Sequence, residues 1–269
     1  MTIREWLNQA TAILNDAGIP SSRLDAEIIL AHTLRRSRTF LHAHDDDMLD
    51  PRQREIADAR LTLREDRTPI AYIIGHKEFY GRTFRVSPSV LIPRPESEVI
   101  IHLLKSYVKS HNVQDIVDVG TGSGCLGITA KLEHPQAHVT LIDTSRHALT
   151  VAKQNAAHQR AEVIFMHSSL LNDYPEEADV VIANLPYVDR EWERSPETNH
   201  EPPEALFASN NGMQLIDELI TQLPRHLKKD GIALIEADET QHAQIIEHAA
   251  EYGLLHDQTE GLIVQLRRP

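Results

Sequence analysis

The residues best suited to chemistry begin with Asp118-Val119-Gly120-Thr121-Gly122-Ser123-Gly124, an acid followed by three alternate glycines. The run leaves an apolar segment that reads as a strand and enters one that reads as a helix. At such a junction glycines permit positive φ and let a ligand approach the backbone. Gly122-Ser123-Gly124-Cys125-Leu126-Gly127 also satisfies the dinucleotide fingerprint, so the pattern alone leaves two cofactors open. A nicotinamide cofactor would set its pyrophosphate on the helix N-terminus, whereas S-adenosylmethionine has no phosphate and presents an ammonium and a carboxylate. Asp118 favours the second, because an acid there repels a pyrophosphate and attracts an ammonium. Asp143, at the end of the next strand, suits ribose hydroxyls in either case, since a carboxylate accepts from two vicinal hydroxyls. A plainer account, a tight turn with Asp143 capping the helix near Ser145, leaves the acid before three alternate glycines unexplained.

A second constellation closes the strand Val180-Val181-Ile182-Ala183: Asn184-Leu185-Pro186-Tyr187 sets an amide, a proline-stiffened backbone and an aromatic ring at a strand end. In an open α/β sheet that is the edge where ligands gather, the same edge as the glycine turn. The chemistry that wants such groups is methyl transfer to a planar nitrogen, whose lone pair is delocalised and weakly nucleophilic. Carbonyl oxygens of the Asn184 side chain and the Leu185 backbone would accept both NH2 hydrogens, aim the nitrogen and favour charge on it in the transition state. No strong general base is needed. Leu185, preceding a proline, is held out of the α region, which helps aim its carbonyl.

These residues need a sheet beneath them, and the chain supplies the pattern for one after a different beginning. Up to about Gly75 apolar residues recur at helical spacing: Ile3, Trp6, Leu7, Ala10, Ile13 and Leu14, then Leu24, Ile28, Ile29, Ala31 and Leu34, then Ile56, Ala59 and Leu63. Gly18 closes the first stripe, Ser21 or Ser22 caps the second and Asp50-Pro51 opens the third. Residues 1–75 therefore read as a small all-α domain. Residues 76–98 read as a connector: two short strands turning at Gly81, then a proline-punctuated stretch to Arg94-Pro95. Over residues 99–269 short apolar runs alternate with amphipathic ones, with strands near 115–119, 139–143, 163–166 and 179–183 and helices near 125–132 and 145–158. A helix near 212–227, a strand near 232–237, a helix near 241–252 and a final strand pair follow. The alternation predicts an α/β domain, a parallel sheet with helices on both faces.

Charge narrows the partners. The 269 residues carry a formal net charge of −13, and the aromatic content, 5%, is low. Residues 1–75 hold 10 basic and 12 acidic side chains, leaving 17 basic and 28 acidic for the rest, a balance of −11. A sheet domain so charged is not expected to bind a polyanion directly. One cysteine, Cys125, excludes an intrachain disulfide, and no run approaches the roughly 18 apolar residues of a membrane span. The N-terminus has no signal-peptide core, so the expected address is the cytoplasm, without membrane partner. His42, His44 and Asp45-Asp46-Asp47 suggest a metal cluster, but consecutive aspartates before Pro51 more often form a solvated loop and helix cap; no metal is expected. Cys125 opens the helix after the glycine turn, where a helix N-terminus lowers a thiol pKa, yet packing is the expected role.

Here the residues resemble a known family. Asp118 to Gly124 with Asp143 and Asn184 to Tyr187 resemble class I S-adenosylmethionine-dependent methyltransferases acting on planar nitrogens, with their Rossmann-like sheet. More specific are Pro69-Ile70-Ala71-Tyr72-Ile73-Ile74-Gly75, Glu78-Phe79-Tyr80-Gly81, Leu91-Ile92-Pro93-Arg94-Pro95-Glu96-Ser97-Glu98 and Glu201-Pro202-Pro203-Glu204-Ala205-Leu206-Phe207. Together they resemble the release-factor glutamine methyltransferases over nearly the whole chain. That resemblance implies methylation of the side-chain amide N5 of the glutamine in the Gly-Gly-Gln motif of peptide chain release factors. It implies that Gly120, Thr121, Gly122, Ser123 and Gly124, behind Asp118, hold the methionine part of S-adenosylmethionine, Asp143 the ribose, and Ser169 and Leu170 the adenine. Asn184, Leu185, Pro186 and Tyr187 would hold the glutamine, with Asn184 touching the cofactor as well. The helical domain would engage the release factor, the protein acting as a monomer and meeting nucleic acid only through a ribosome-associated substrate.

Three departures mark this chain within the resemblance. Leu185 replaces the first proline of the usual Asn-Pro-Pro-Tyr, Ser169 stands where an acid is common, and Glu236-Ala237-Asp238 replaces glutamate, an apolar residue and glycine. Asn-Leu-Pro-Tyr is also typical of adenine N6-methyltransferases acting on nucleic acid, which the −11 balance and the connector oppose. A non-catalytic cofactor-binding protein and a nicotinamide dehydrogenase are the remaining alternatives. Asp118, and the absence of residues that would handle a hydride, oppose the last.

Overall fold

Thr2 starts the first helix with a reciprocal cap: its hydroxyl accepts from the Glu5 N–H at 3.2 Å and the Glu5 carboxylate accepts from the Thr2 N–H at 2.8 Å. The computed structural model describes all 269 residues, divided into two compact units. The first comprises Met1–His76 together with Arg194–His200. It contains α1 (Ile3–Asp16), α2 (Ser22–Leu34), α3 (Arg38–Ala43), α4 (Pro51–Glu65) and α5 (Ile70–Ile74). Pro51 occupies the first turn of α4, where its missing N–H costs nothing, and Asp50 caps that helix. Trp6, Leu7, Leu14, Ile29, Leu30 and Leu41 are buried together, and the Trp6 indole donates to Asp58 at 2.7 Å.

The third apolar stripe is not the buried face, and the second is buried only in part, through Ile29 and Ala31. Leu24, Ile56 and Leu63 are exposed, while α4 buries Ala57, Leu61 and Arg64. The cause is ionic: Arg64 donates to buried Asp25 at 2.7 Å, and buried Glu27 accepts from Arg23 and Arg38 at 2.9 and 2.7 Å. Buried charges survive only when paired, and these pairs take interior positions that an apolar count gives to leucine and isoleucine. The returning segment Arg194–His200 belongs here because Glu197 accepts from Arg64 at 3.0 Å and Arg67 at 3.3 Å.

The second unit comprises Lys77–Glu193 and Glu201–Pro269. It opens with the hairpin β1 (His76–Phe79) and β2 (Arg82–Arg85), turning through Tyr80 and Gly81, both at positive φ. Next come α6 (Glu98–Val108), β3 (Asp115–Val119), α7 (Cys125–Glu133), β4 (His138–Asp143), α8 (Arg146–Gln159), β5 (Ile164–His167) and β6 (Ala178–Ala183). After α9 (Pro203–Leu206) follow α10 (Gln214–His226), β7 (Leu227–Glu236), α11 (His242–Glu251), β8 (Leu255–Glu260) and β9 (Ile263–Arg267). Helix α6 lies where the alternation announced nothing.

The seven strands run in the order β5-β4-β3-β6-β7-β9-β8, parallel from β5 to β7 and antiparallel at β9 and β8. Alternation across the pleat splits β6 between two cores: Val180 and Ile182 face Ile100, Leu104 and Phe84, while Val181 and Ala183 face Leu219, Ile220 and Leu223. Register pairs Val119 with Ile142 and Ala183, and Ala183 with Ile235. The strand ends are therefore level, which brings Gly120, Asp143, Asn184 and Glu236 to one edge. No helix is long and apolar enough to cross a membrane.

Candidate active site

The glycine turn is held from both sides. The N–H groups of Gly120 and Thr121 both donate to the Ile142 carbonyl at 2.9 Å, and Gly120, Gly122 and Gly124 all have positive φ. Asp118 lies behind this turn, 1% exposed, its Oδ2 accepting from the Thr121 hydroxyl at 2.6 Å and the Gly127 N–H at 2.8 Å. Burial pushes its carboxyl up to about 6. It does not line the cavity at this edge. A Cβ on Gly127 would come 2.8 Å from Asp118 Oδ2, so this position seats the helix start against the carboxylate.

Asp143 does line the cavity. Its Oδ2 accepts from the Gly122 N–H at 2.9 Å and its Oδ1 from the Ser145 N–H at 2.8 Å, while Ser145 itself caps α8. Burial raises its pKa, and the Ser145 and Gly122 amides offset part of that. Ser169 and Leu170 border the same cavity, Leu170 at a φ of 48°. Asn155 on α8, which no motif announced, ties the hairpin to the glycine turn: its amide accepts from the Arg85 N–H at 2.7 Å and donates to the carbonyls of Arg85 and Ser123 at 3.0 and 2.8 Å.

The side-chain amide of Asn184 donates to the Ser97 hydroxyl at 3.1 Å, with both residues on the cavity wall. Leu185 is buried beneath it, so close to the glycine turn that a Cβ on Gly120 would come 2.9 Å from Leu185 Cδ2. Pro186 lines the cavity; Tyr187 does not. The Tyr187 ring packs on the core, and its hydroxyl donates to Glu236 at 3.3 Å; burial and Glu236 together push its pKa up. Thus Gly120, Thr121, Gly122, Ser123, Asp143, Ser169, Leu170, Asn184, Leu185 and Pro186 share one cavity, whereas Asp118, Gly124 and Tyr187 stand behind it.

The connector completes the wall with Ser89 to Arg94. Glu201, 4% exposed, holds this strap, accepting from the Ile92 N–H at 3.1 Å and from Arg94 at 2.5 Å. Its signal was the acid opening Glu201-Pro202-Pro203, legible as a motif but not as a partner of Arg94. Cys125, half-buried at the start of α7, has its thiol pushed up to about 12 by burial, which outweighs the helix terminus. In the helical unit Asp45 is taken by Arg4 at 2.8 Å and His44 stacks on Phe40, and no three His, Cys, Asp or Glu side chains converge. Chemically the cavity combines a backbone turn, a carboxylate at a strand end, an apolar patch and an orienting amide.

Residues 5–75 match the family model described as PrmC N-terminal domain, and residues 97–201 match that described as methyltransferase small domain. The release factor glutamine methyltransferase of Koribacter versatilis is 36% identical over 241 residues, spanning 88% of this chain and 86% of its own. That of Bacillus anthracis is 35% identical over 245 residues, with the same coverage of 88% and 86%. Among solved structures, the ribosomal protein L11 methylase of Lactobacillus delbrueckii subsp. bulgaricus superposes with a TM-score of 0.50 at 23% identity, over 71% of this chain and 88% of that one. This last likeness is one of fold: the sheet is that of a Rossmann-like class I methyltransferase.

Proposed function

The chain belongs to the release factor glutamine methyltransferase family, and from that premise we infer how its residues serve methyl transfer to the N5 amide nitrogen of a release-factor glutamine. S-adenosylmethionine supplies an electrophilic methyl group. The cavity fits it: Asp143 offers a carboxylate at the strand end for ribose hydroxyls, and the backbone from Gly120 to Ser123 lines the place for its amino-acid end. Leu170 and Ala148 give an apolar wall for a purine beside Ser169. Asp118, behind the turn, shapes the backbone and contributes a negative field toward an ammonium without touching it.

The observation that carries the substrate reading is the commitment of the Asn184 NH2 to Ser97. Glu236, close to both Ser97 and Asn184, would draw the Ser97 hydroxyl hydrogen and leave the Ser97 oxygen to accept, in keeping with the amide orientation in which Nδ2 faces Ser97. Asn184 Oδ1 is then the free acceptor, and with the Leu185 carbonyl it holds both hydrogens of the incoming amide. Held so, the nitrogen lone pair is aimed, and the charge that grows on nitrogen during transfer is stabilised. Tyr187 supports the turn from behind. The −11 balance outside residues 1–75 supports a protein substrate over RNA.

The test offers purified protein and S-adenosylmethionine to a release factor, to its Gln→Ala variant and to ribosomal RNA, with the methyl group located by mass spectrometry. A methylglutamine in the release factor and none in the variant is the expected result. Methyl on RNA alone would overturn the reading.

A further inference from the structure

The helical unit contains a groove that the transfer chemistry does not use. Residues 1–75 hold ten arginines and no lysine, and four of those arginines, Arg35, Arg36, Arg38 and Arg60, border one groove of about 720 Å³. His32 and His76 face the same space. Only Arg38 is neutralised, by Glu27 at 2.7 Å. Arg60 donates to the Thr33 hydroxyl at 2.8 Å and Arg36 lies 5.0 Å over the Phe40 ring, but neither they nor Arg35 form an ion pair. The C-terminal end of α2 accounts for a cation at Arg35, its C-cap residue, but not for Arg60, which projects from α4. His32 responds to this field: burial first, then Arg60, His76 and Arg35, hold its pKa below the ordinary value. In a chain of net charge −13, so many uncompensated guanidinium groups at one place need a partner.

The lining also says which kind. Ile28, Ala31 and Ile74 border the groove, as does Ile56, 41% exposed. No Phe, Tyr or Trp lines it, so unpaired bases would have nothing to stack on. Guanidinium forks match carboxylates in bidentate geometry, and the space suits side chains rather than a single ion. We propose that this groove docks an acidic segment of the release factor, carboxylates pairing with Arg35 and Arg60 and an apolar side chain resting on Ile56. The inference rests on the release-factor reading above.

Docking that does not touch the reacting amide tightens ground state and transition state alike, so its loss falls on KM and not on kcat. For the double variant Arg35→Glu/Arg60→Glu, steady-state methylation of full-length release factor should show KM raised about tenfold or more, with kcat retained. S-adenosylmethionine affinity should be unchanged, and the rise of KM with ionic strength should flatten, since the screened pairs are gone. The milder Arg35→Gln/Arg60→Gln pair should show a smaller rise, and decides the matter should the charge reversal not fold. Unchanged KM in the folded variants, with wild type methylating the release factor, would overturn the groove and leave the activity standing. Wild type that methylates no release factor would instead sink the functional reading. Affinity for a ribosomal RNA fragment lost in the variants, with release-factor KM unmoved, would make the groove an RNA site and overturn the proposal.

Discussion

The hydroxyl of Tyr187 donates to Glu236 Oε1 at 3.3 Å, while Oε2 of the same carboxylate is buried without a hydrogen-bond partner. Glu236 ends β7 beside the strand that delivers Asn184, and it is 1% exposed. Burial raises its pKa; Ser97, Tyr187 and Asn184, all nearby, offset only part of that. A half-satisfied buried carboxylate is costly, and such costs persist where the arrangement serves a site. We expect it to draw the Ser97 hydroxyl as well as the Tyr187 phenol, fixing Asn184 on one side and the turn on the other.

Replacing Glu236 by glutamine separates those duties from mere packing. The new NH2 group competes for the Ser97 oxygen and loosens the Asn184 amide. Turnover should fall by about 10- to 100-fold, the range for a lost orienting contact. S-adenosylmethionine affinity should hold, and stability should be unchanged or higher, because glutamine brings no charge to desolvate. Single-turnover rates with calorimetric binding check this; a wild-type rate would leave the carboxylate no part in orienting Asn184.

Gly212 presses on the same turn from outside. A Cβ there would come 1.9 Å from the Tyr187 carbonyl oxygen and 2.5 Å from the Gln241 amide nitrogen, which donates to that carbonyl at 2.9 Å. Gly212→Ala should therefore cost about 2 kcal/mol or more in urea unfolding and lower kcat as well. Gly253, also at positive φ but with nothing within 4 Å, is the control. Its alanine variant should cost about 1 kcal/mol and leave kcat alone. Equal losses in the two variants would mean that backbone strain, not the Tyr187 contact, sets the cost.

What could be read in advance follows from how local each signal is. The glycine turn and Asn184-Leu185-Pro186-Tyr187 are short, and the buried run Val180 to Ala183 marks a parallel strand covered on both faces. Residue types were therefore legible where side-chain direction was not. Asp118 and Tyr187 point away from the cavity because their partners, Gly127 and Glu236, come from other elements. Asn155 had no motif, since its role is to touch Arg85 and Ser123, remote in sequence. In the helical unit Arg64 meets Asp25 across 39 positions, and no periodicity count reveals that such a pair displaces Leu63 to the surface.

Asn184 and Leu185 should respond differently to substitution. Asn184→Ala removes the amide oxygen and should lower turnover about 100-fold or more, with S-adenosylmethionine affinity unchanged. Leu185→Pro keeps the carbonyl and should stay active, although it gives up part of the packing against Gly120 and lowers the melting temperature. Initial rates on release factor, paired with thermal melts, distinguish the two. Complete inactivity of folded Leu185→Pro would show that the leucine has a role of its own.

The returning segment Arg194–His200 is held by Glu197 through Arg64 and Arg67. Burial alone would raise Glu197, but hydrogen bonds from Ser195 and Arg64 hold it down at about 2, against an ordinary 4.5. A carboxyl with a depressed folded pKa stabilises the native state above its unfolded value, and that stabilisation drains away as pH falls through the folded one. Glu197→Gln should thus lower unfolding free energy at pH 7 by about 2 kcal/mol, discounted for partial exposure. The gap between variant and wild type should narrow steadily from pH 4.5 toward 2. Urea unfolding of both proteins at pH 7 and near pH 3 reads it directly. A gap that stayed constant would mean that Arg64 and Arg67 hold the segment by the shape of the side chain and not by its charge.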